Sequence, residues 1–161
     1  MWAGVAVLAF VTLERLAELL LSQRNTKRLL ARGAYEVAPE HYPFLVLLHA
    51  SWLALLWVFG PGPPIELVPL AIFALLQVAR VWVISTLGER WTTRIVILPG
   101  APLVTTGPYR WVNHPNYLVV IGEIAILPLV FGLWDLAIVF SLLNAAILAV
   151  RIRAENQALG R

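Results

Sequence analysis

The run Gly107-Pro108-Tyr109-Arg110-Trp111-Val112-Asn113-His114-Pro115-Asn116-Tyr117 gathers an imidazole, a guanidinium and three aromatic rings in one short stretch. Gly107-Pro108 reads as a turn. Pro115 suits the first turn of a helix, where its missing N–H is not needed. His114 then stands just ahead of that helix, at its positive, donor-rich end. An imidazole there can take or give a proton near neutral pH, although Tyr and Trp beside it also suit the aromatic belt of a membrane interface. A second polar run, Arg151-Ile152-Arg153-Ala154-Glu155-Asn156, follows later in the chain. Arg151 and Glu155 are spaced i, i+4 and can pair on one helix face.

Charges also occur inside apolar stretches, where they are costly and tend to mark a site or a pathway. At about 1.5 Å per helical residue, Glu14, Arg80, Glu123 and Asn144 each lie roughly 10 Å in from one end of their segments. Four segments thus contribute to one polar layer. His49 and Ser51 belong to a fifth and are expected nearer its far half. Glu14, Glu18 and Ser22 share one helix face, and Gln77 and Arg80 share another. Two readings are open. The charges neutralise one another as packing contacts, Arg15 with Glu18 and Arg80 with Glu123 or Glu14, or they form the polar floor of a cavity.

The elements that must position these groups are membrane spans. The chain has 161 residues, 60% hydrophobic and 13% charged, against about 25% charged in an average soluble domain. That composition excludes disorder, coiled coil and collagen. A net charge of +3, spread in short clusters, gives no footprint for nucleic acid. The absence of cysteine removes disulfides, thiolate zinc sites and cysteine nucleophiles. With about 20 apolar residues needed per span, the expected spans are Trp2–Leu21, Pro43–Phe59, Pro64–Leu87, Tyr117–Val130 and Leu133–Val150. Phe131-Gly132 makes the last two a helical hairpin. The first carries Glu14, Arg15 and Glu18 and lacks a basic leader, so it does not read as a signal peptide.

Ten of the 12 basic residues fall in the loops of one side and none in those of the other; Arg15 and Arg80 lie within spans. The positive-inside rule makes the loaded side cytoplasmic, with the N-terminus outside and the C-terminus inside. The first helix is expected to continue to Arg32, with Gly33 at its C-terminal cap. The segment Gly88–Asn116 is the one long connection, with a strand-like run at Arg94–Leu98, and a loop of that length is usually functional. The expectation is an all-α integral membrane fold in one domain, with five transmembrane helices and a cytoplasmic pocket.

At Gly107-Pro108-Tyr109-Arg110, His114-Pro115-Asn116-Tyr117 and Arg151-x-Arg153-Ala154-Glu155 the chain resembles the isoprenylcysteine carboxyl methyltransferase family, the signature covering about 88–161. Glu14-Arg15, Glu18, Ser22, Arg24-Asn25, Gly33-Ala34, Glu36, His41-Tyr42-Pro43 and His49 resemble its small bacterial branch, which is similar to alkylpyrone O-methyltransferases encoded beside type III polyketide synthases. Two positions depart from the family pattern. Asn113 stands where Arg or Lys usually precedes the motif His, and Asn156 stands where a second Glu often follows the first.

The resemblance implies S-adenosylmethionine as cofactor, and a methyl transfer that asks chiefly for positioning. It points to Gly107, Tyr109, Arg110 and His114, with Pro115, Tyr117 and Glu155, as cofactor-binding. In this reading Glu155 holds the ammonium or ribose, Arg110 or Arg151 the carboxylate, and the aromatic rings the adenine or sulfonium. Arg80, Arg151 and Glu123 are the catalytic candidates, Arg80 or Arg151 supplying a cation to an acidic acceptor. Glu14, Glu18, His41 and Asn144 are the candidates for binding the acceptor. That acceptor is a lipophilic small molecule entering from the membrane lipids, an alkylpyrone-like hydroxyl ahead of a prenylcysteine carboxylate, with a functional link to a type III polyketide synthase. Two other readings remain: an NADPH-dependent membrane lipid reductase, for which no GxGxxG turn is present, and a non-enzymatic membrane interaction protein.

Overall fold

The computed structural model describes residues 1–161. Five helices carry the fold: α1 Trp2–Ala31, α2 Tyr42–Phe59, α3 Leu67–Leu87, α4 Pro115–Val130 and α5 Trp134–Leu159. Three apolar helical segments, Pro39–Phe59, Leu67–Arg90 and Trp134–Leu159, are long enough to cross a membrane. α4 is apolar but has only 16 residues, and α1 is interrupted by its charges.

Local chemistry sets the ends. Residues 5–31 are dominated by Leu, Ala, Glu, Arg and Gln, all good helix formers without an internal proline. Gly33 ends α1 with φ +92°. Its N–H donates to Leu30 O at 3.1 Å and that of Ala34 to Leu29 O at 3.0 Å, which satisfies the last carbonyls. α2 and α4 both begin with proline in the first turn. α5 continues past Val150 through further helix formers to Leu159, so Arg151, Glu155 and Asn156 stand on one rigid helix.

Apolar side chains fill the centre. Leu8 and Val11 of α1, Trp52 and Leu56 of α2, Ile124 and Leu127 of α4, and Phe140 and Leu148 of α5 form one buried cluster. The outward faces are apolar as well: Leu13, Leu20, Leu47, Leu75 and Leu142 are exposed. A helix bundle that is apolar inside and out suits a lipid surround, where helices satisfy their own backbone groups.

One departure from the all-helical expectation positions the site. Tyr35–Glu36 (β1) pairs antiparallel with Val96–Ile97 (β2), joining the α1–α2 connection to the long α3–α4 loop. The strand-like run at 94–98 thus contributes two residues to a minimal ladder. Val37 N–H extends it to Ile95 O at 2.8 Å, and Arg94 Nη1–H reaches Glu36 Oε1 at 2.8 Å. The last turns of α1 hold the same loop. Asn25, fully buried, donates to the carbonyls of Trp91 and Gly88 at 2.8 and 3.2 Å.

Candidate active site

Four charged side chains close a ring inside the bundle. Arg80 of α3 donates to Glu18 of α1 through Nε and through Nη2, the latter at 2.6 Å, and through Nη1 to Glu123 of α4 at 3.0 Å. Arg15 of α1 bridges the same carboxylates, 3.1 Å to Glu18 and 2.6 Å to Glu123. Gln77 takes up the other Glu123 oxygen at 2.9 Å. Each charge faces two of opposite sign, as burial at this depth requires. Both open readings therefore meet here: the charges neutralise one another, and Arg15, Glu18 and Arg80 also line a cavity.

That cavity, about 360 Å³, lies between α1, α2, α3, α4, α5 and the 90–96 loop. One wing is apolar, with Leu16, Leu19, Leu45, Val46 and Leu53. Leu16, Leu19 and Val46 are also exposed on the outer surface, so the wing opens between α1 and α2. The other end holds Tyr109, His114, Tyr117, Arg151 and Glu155. His114 Nε2 meets Asn156 Oδ1 at 2.8 Å, and its Nδ1 stands 3.6 Å from Glu155 Oε2. Asn156, a departure from the family pattern, is thus the direct partner of the motif histidine.

Arg151 is 3% exposed. It donates to the Thr93 carbonyl at 2.9 Å, not to Glu155, which corrects the pairing expected from their spacing; its Nε has no hydrogen-bond partner. Thr93 is a knot that sequence reasoning missed. Its backbone N–H donates to Ser22 Oγ at 2.8 Å, and its hydroxyl meets Ser22 at 2.8 Å and Tyr42 at 3.0 Å. Arg94 lies 4.0 Å over the Tyr42 ring. Nothing about an isolated Thr-Thr pair in a loop distinguishes it as a junction of three helices.

A second cavity of about 370 Å³ adjoins the first on the loop side. Residues 97–101 and 103–104 and the end of α5 form its walls, and Arg90, Tyr109, Asn113 and Glu155 line both cavities. Arg90 braces the loop by donating to Pro102 O at 2.7 Å. Burial, with the Glu155 carboxylate nearby, raises the Tyr109 phenol above its ordinary value, so it stays a hydroxyl donor.

Several expected site residues lie elsewhere. Arg110 is exposed and packs over Trp111 at 5.4 Å, because the turn at 107–110 directs it outward. Gly107 and Pro115 shape the backbone and line neither cavity; Gly107 has φ +55°, and a Cβ there would come within 2.5 Å of Thr86 Oγ1. Glu123 is held within the ion ring and does not line the cavity. Glu14 lies outside the ring, Oε2 buried without a partner, so Arg80 pairs with Glu18 and Glu123 instead. Asn144 is buried in the packing, and His41 stands 3.8 Å from Glu40, neither lining a cavity. His49, expected towards the far half of its span, lines the main cavity.

A sequence model of the isoprenylcysteine carboxyl methyltransferase (ICMT) family matches residues 68–161. The chain belongs to that family, one of membrane methyltransferases. It is 36% identical over 158 residues to the uncharacterized protein YpbQ of Bacillus subtilis, covering 95% of this chain and 94% of that one. It is 28% identical over 151 residues to an uncharacterized protein of Haemophilus influenzae, covering 90% and 88%. No solved structure matches.

Proposed function

We propose that the protein is a five-span enzyme of the cytoplasmic membrane, N-terminus outside, that uses S-adenosylmethionine to methylate an acidic hydroxyl of a lipophilic small molecule. The observation that carries this reading is the pair of adjoining cavities, one with an apolar wing open between α1 and α2, the other walled by the long loop, with Arg90, Tyr109, Asn113 and Glu155 common to both. A water-soluble cofactor suits the loop side and a lipid-dissolved acceptor suits the apolar wing.

The residues present fit the cofactor. Arg151 is a buried guanidinium with no carboxylate partner and an unspent Nε–H, a state that costs several kcal/mol unless an anion joins it. An amino-acid carboxylate matches its fork. Glu155 suits an ammonium or ribose hydroxyls, and the rings of Tyr109 and Tyr117 suit a cation or a flat base. When bound, S-adenosylmethionine supplies an electrophilic methyl group. The chain itself orients: His114 and Asn156 brace Glu155, the ion ring fixes Arg80 in the cavity wall, and the apolar wing excludes water.

An acceptor of the alkylpyrone kind fits an apolar wing ending in cations, and we infer a functional link to a type III polyketide synthase as its source. The test is transfer of a radiolabelled methyl group from S-adenosylmethionine to a long-chain alkyl hydroxypyrone, with N-acetyl-farnesylcysteine as the competing acceptor. Transfer to the pyrone is expected, with His114→Ala and Glu155→Ala each weakening cofactor binding by about tenfold, the worth of one good hydrogen bond. Cofactor affinity unchanged in both variants by calorimetry would move the pocket elsewhere. Transfer only to the farnesylcysteine would replace the acceptor.

A further inference from the structure

His49 lines the membrane-side part of the main cavity, on α2 among Leu45, Val46 and Leu53. Its ring rests edge-on against buried Trp52, centroids 6.4 Å apart, and no side-chain hydrogen bond acts on it. Trp52 is locked in the central cluster at 1% exposure, so it gives the imidazole a fixed surface to rest on. An imidazole among leucines and valines at membrane depth is unfavourable unless its nitrogens find a partner. Of the other polar groups lining this end, Thr12 gives its hydroxyl hydrogen to Leu8 O at 2.7 Å and accepts from Trp57 at 2.9 Å, and Glu18 and Arg80 are spent on the ion ring, whereas the Trp52 Nε1–H is buried with no hydrogen-bond partner, a second group here left for a ligand oxygen. α1 brings Arg15 to the same cavity, with its Nη groups on Glu18 and Glu123.

We propose that His49 is a specificity-determining contact that hydrogen-bonds a second oxygen of the methyl acceptor, one distinct from the oxygen that is methylated. The inference rests on the methyltransferase reading and narrows its substrate class. The acceptor is a lipid whose membrane-embedded part carries a carbonyl, ring oxygen or hydroxyl beside the reacting group, followed by a hydrocarbon tail. A molecule whose only polar group is the reacting one leaves His49 unpaired and binds more weakly. Leaving a built polar group without its partner is what makes such discrimination large.

The test uses two probes with the same tail, a long-chain alkyl hydroxypyrone and the matching alkylphenol, which has one oxygen. Thermal stabilisation of the purified protein in detergent is titrated with each, for the wild type, His49→Ala and His49→Gln, and S-adenosylmethionine is titrated separately. In the wild type the pyrone is expected to bind about tenfold more tightly than the phenol. His49→Ala should erase that difference, and His49→Gln, which keeps a donor and an acceptor, should retain part of it. Equal binding of the two probes by the wild type, nil included, overturns the proposal, as does a preference that survives in His49→Ala. Failure of the methyltransferase reading would show separately, as no stabilisation of the wild type by S-adenosylmethionine.

Discussion

Single residues in the ion ring are coupled, and this sets what their substitution does. Glu123 faces Arg15, Arg80 and Gln77, and Arg80 faces Glu18 as well as Glu123. Exchanging Arg80→Glu with Glu123→Arg keeps the pair complementary but puts a carboxylate at 80 against Glu18 and a guanidinium at 123 against Arg15. The double variant is therefore expected to stay destabilised by about 3–5 kcal/mol, the scale of breaking a buried pair, and to melt no higher than the milder single variant. Recovery to near the wild-type melting temperature would show an isolated pair. The polar layer was legible in the sequence because charges in apolar spans stand out by depth. The partners were not: depth follows from position along a helix, whereas pairing follows from its rotation, which spacing leaves free. Glu14 and Glu18 share one face, yet only Glu18 meets Arg80. Arg151 stood out in the sequence as a candidate, and it lines the main cavity, but its partner Thr93 was not legible, a contact that depends on a loop folding back over the bundle.

Among the elements, the 88–116 loop is held from several sides, by Asn25 and Ser22 from α1, Tyr42 and Arg151 on Thr93, the β1–β2 ladder, and the tight turn at 107–110 that delivers α4. Gly107 is the tightest point of that turn. Gly107→Ala adds about 1–2 kcal/mol of left-handed backbone cost and a collision with Thr86. Pairing it with Thr86→Ala should relieve the collision but not the backbone cost, so the double variant should recover part of the lost melting temperature. Full recovery would mean that the conformation at 107 carries no strain. Helix placement followed from composition, since apolar stretches between proline and glycine leave few choices. The i, i+4 spacing of Arg151 and Glu155 implied helix beyond Val150, but the further run to Leu159 was not expected, because hydropathy marks where lipid ends and not where a helix ends. The ladder was only half visible, its first strand being two ordinary residues that owe their conformation to the partner.

For the whole molecule, the ends of the helices alternate. Glu66 N–H bonds Val130 O at 2.8 Å at one end, and His114 meets Asn156 at the other, the end that carries the long loop. All the basic loop residues belong to that latter end. Reporter fusions after Arg32, Gly100 and Arg161 are expected to read cytoplasmic, and one after Gly62 external; a cytoplasmic signal at Gly62 would reject the five-span arrangement. The two adjoining cavities then have a kinetic consequence. On the proposed function the reactants come from different phases and meet where the cavities share a wall, so the enzyme would work as an interfacial catalyst. Its relevant acceptor concentration would then be a mole fraction in the bilayer. Diluting the acceptor with inert lipid lowers the rate even when the amount of acceptor per litre stays the same, while the cofactor responds to ordinary aqueous molarity.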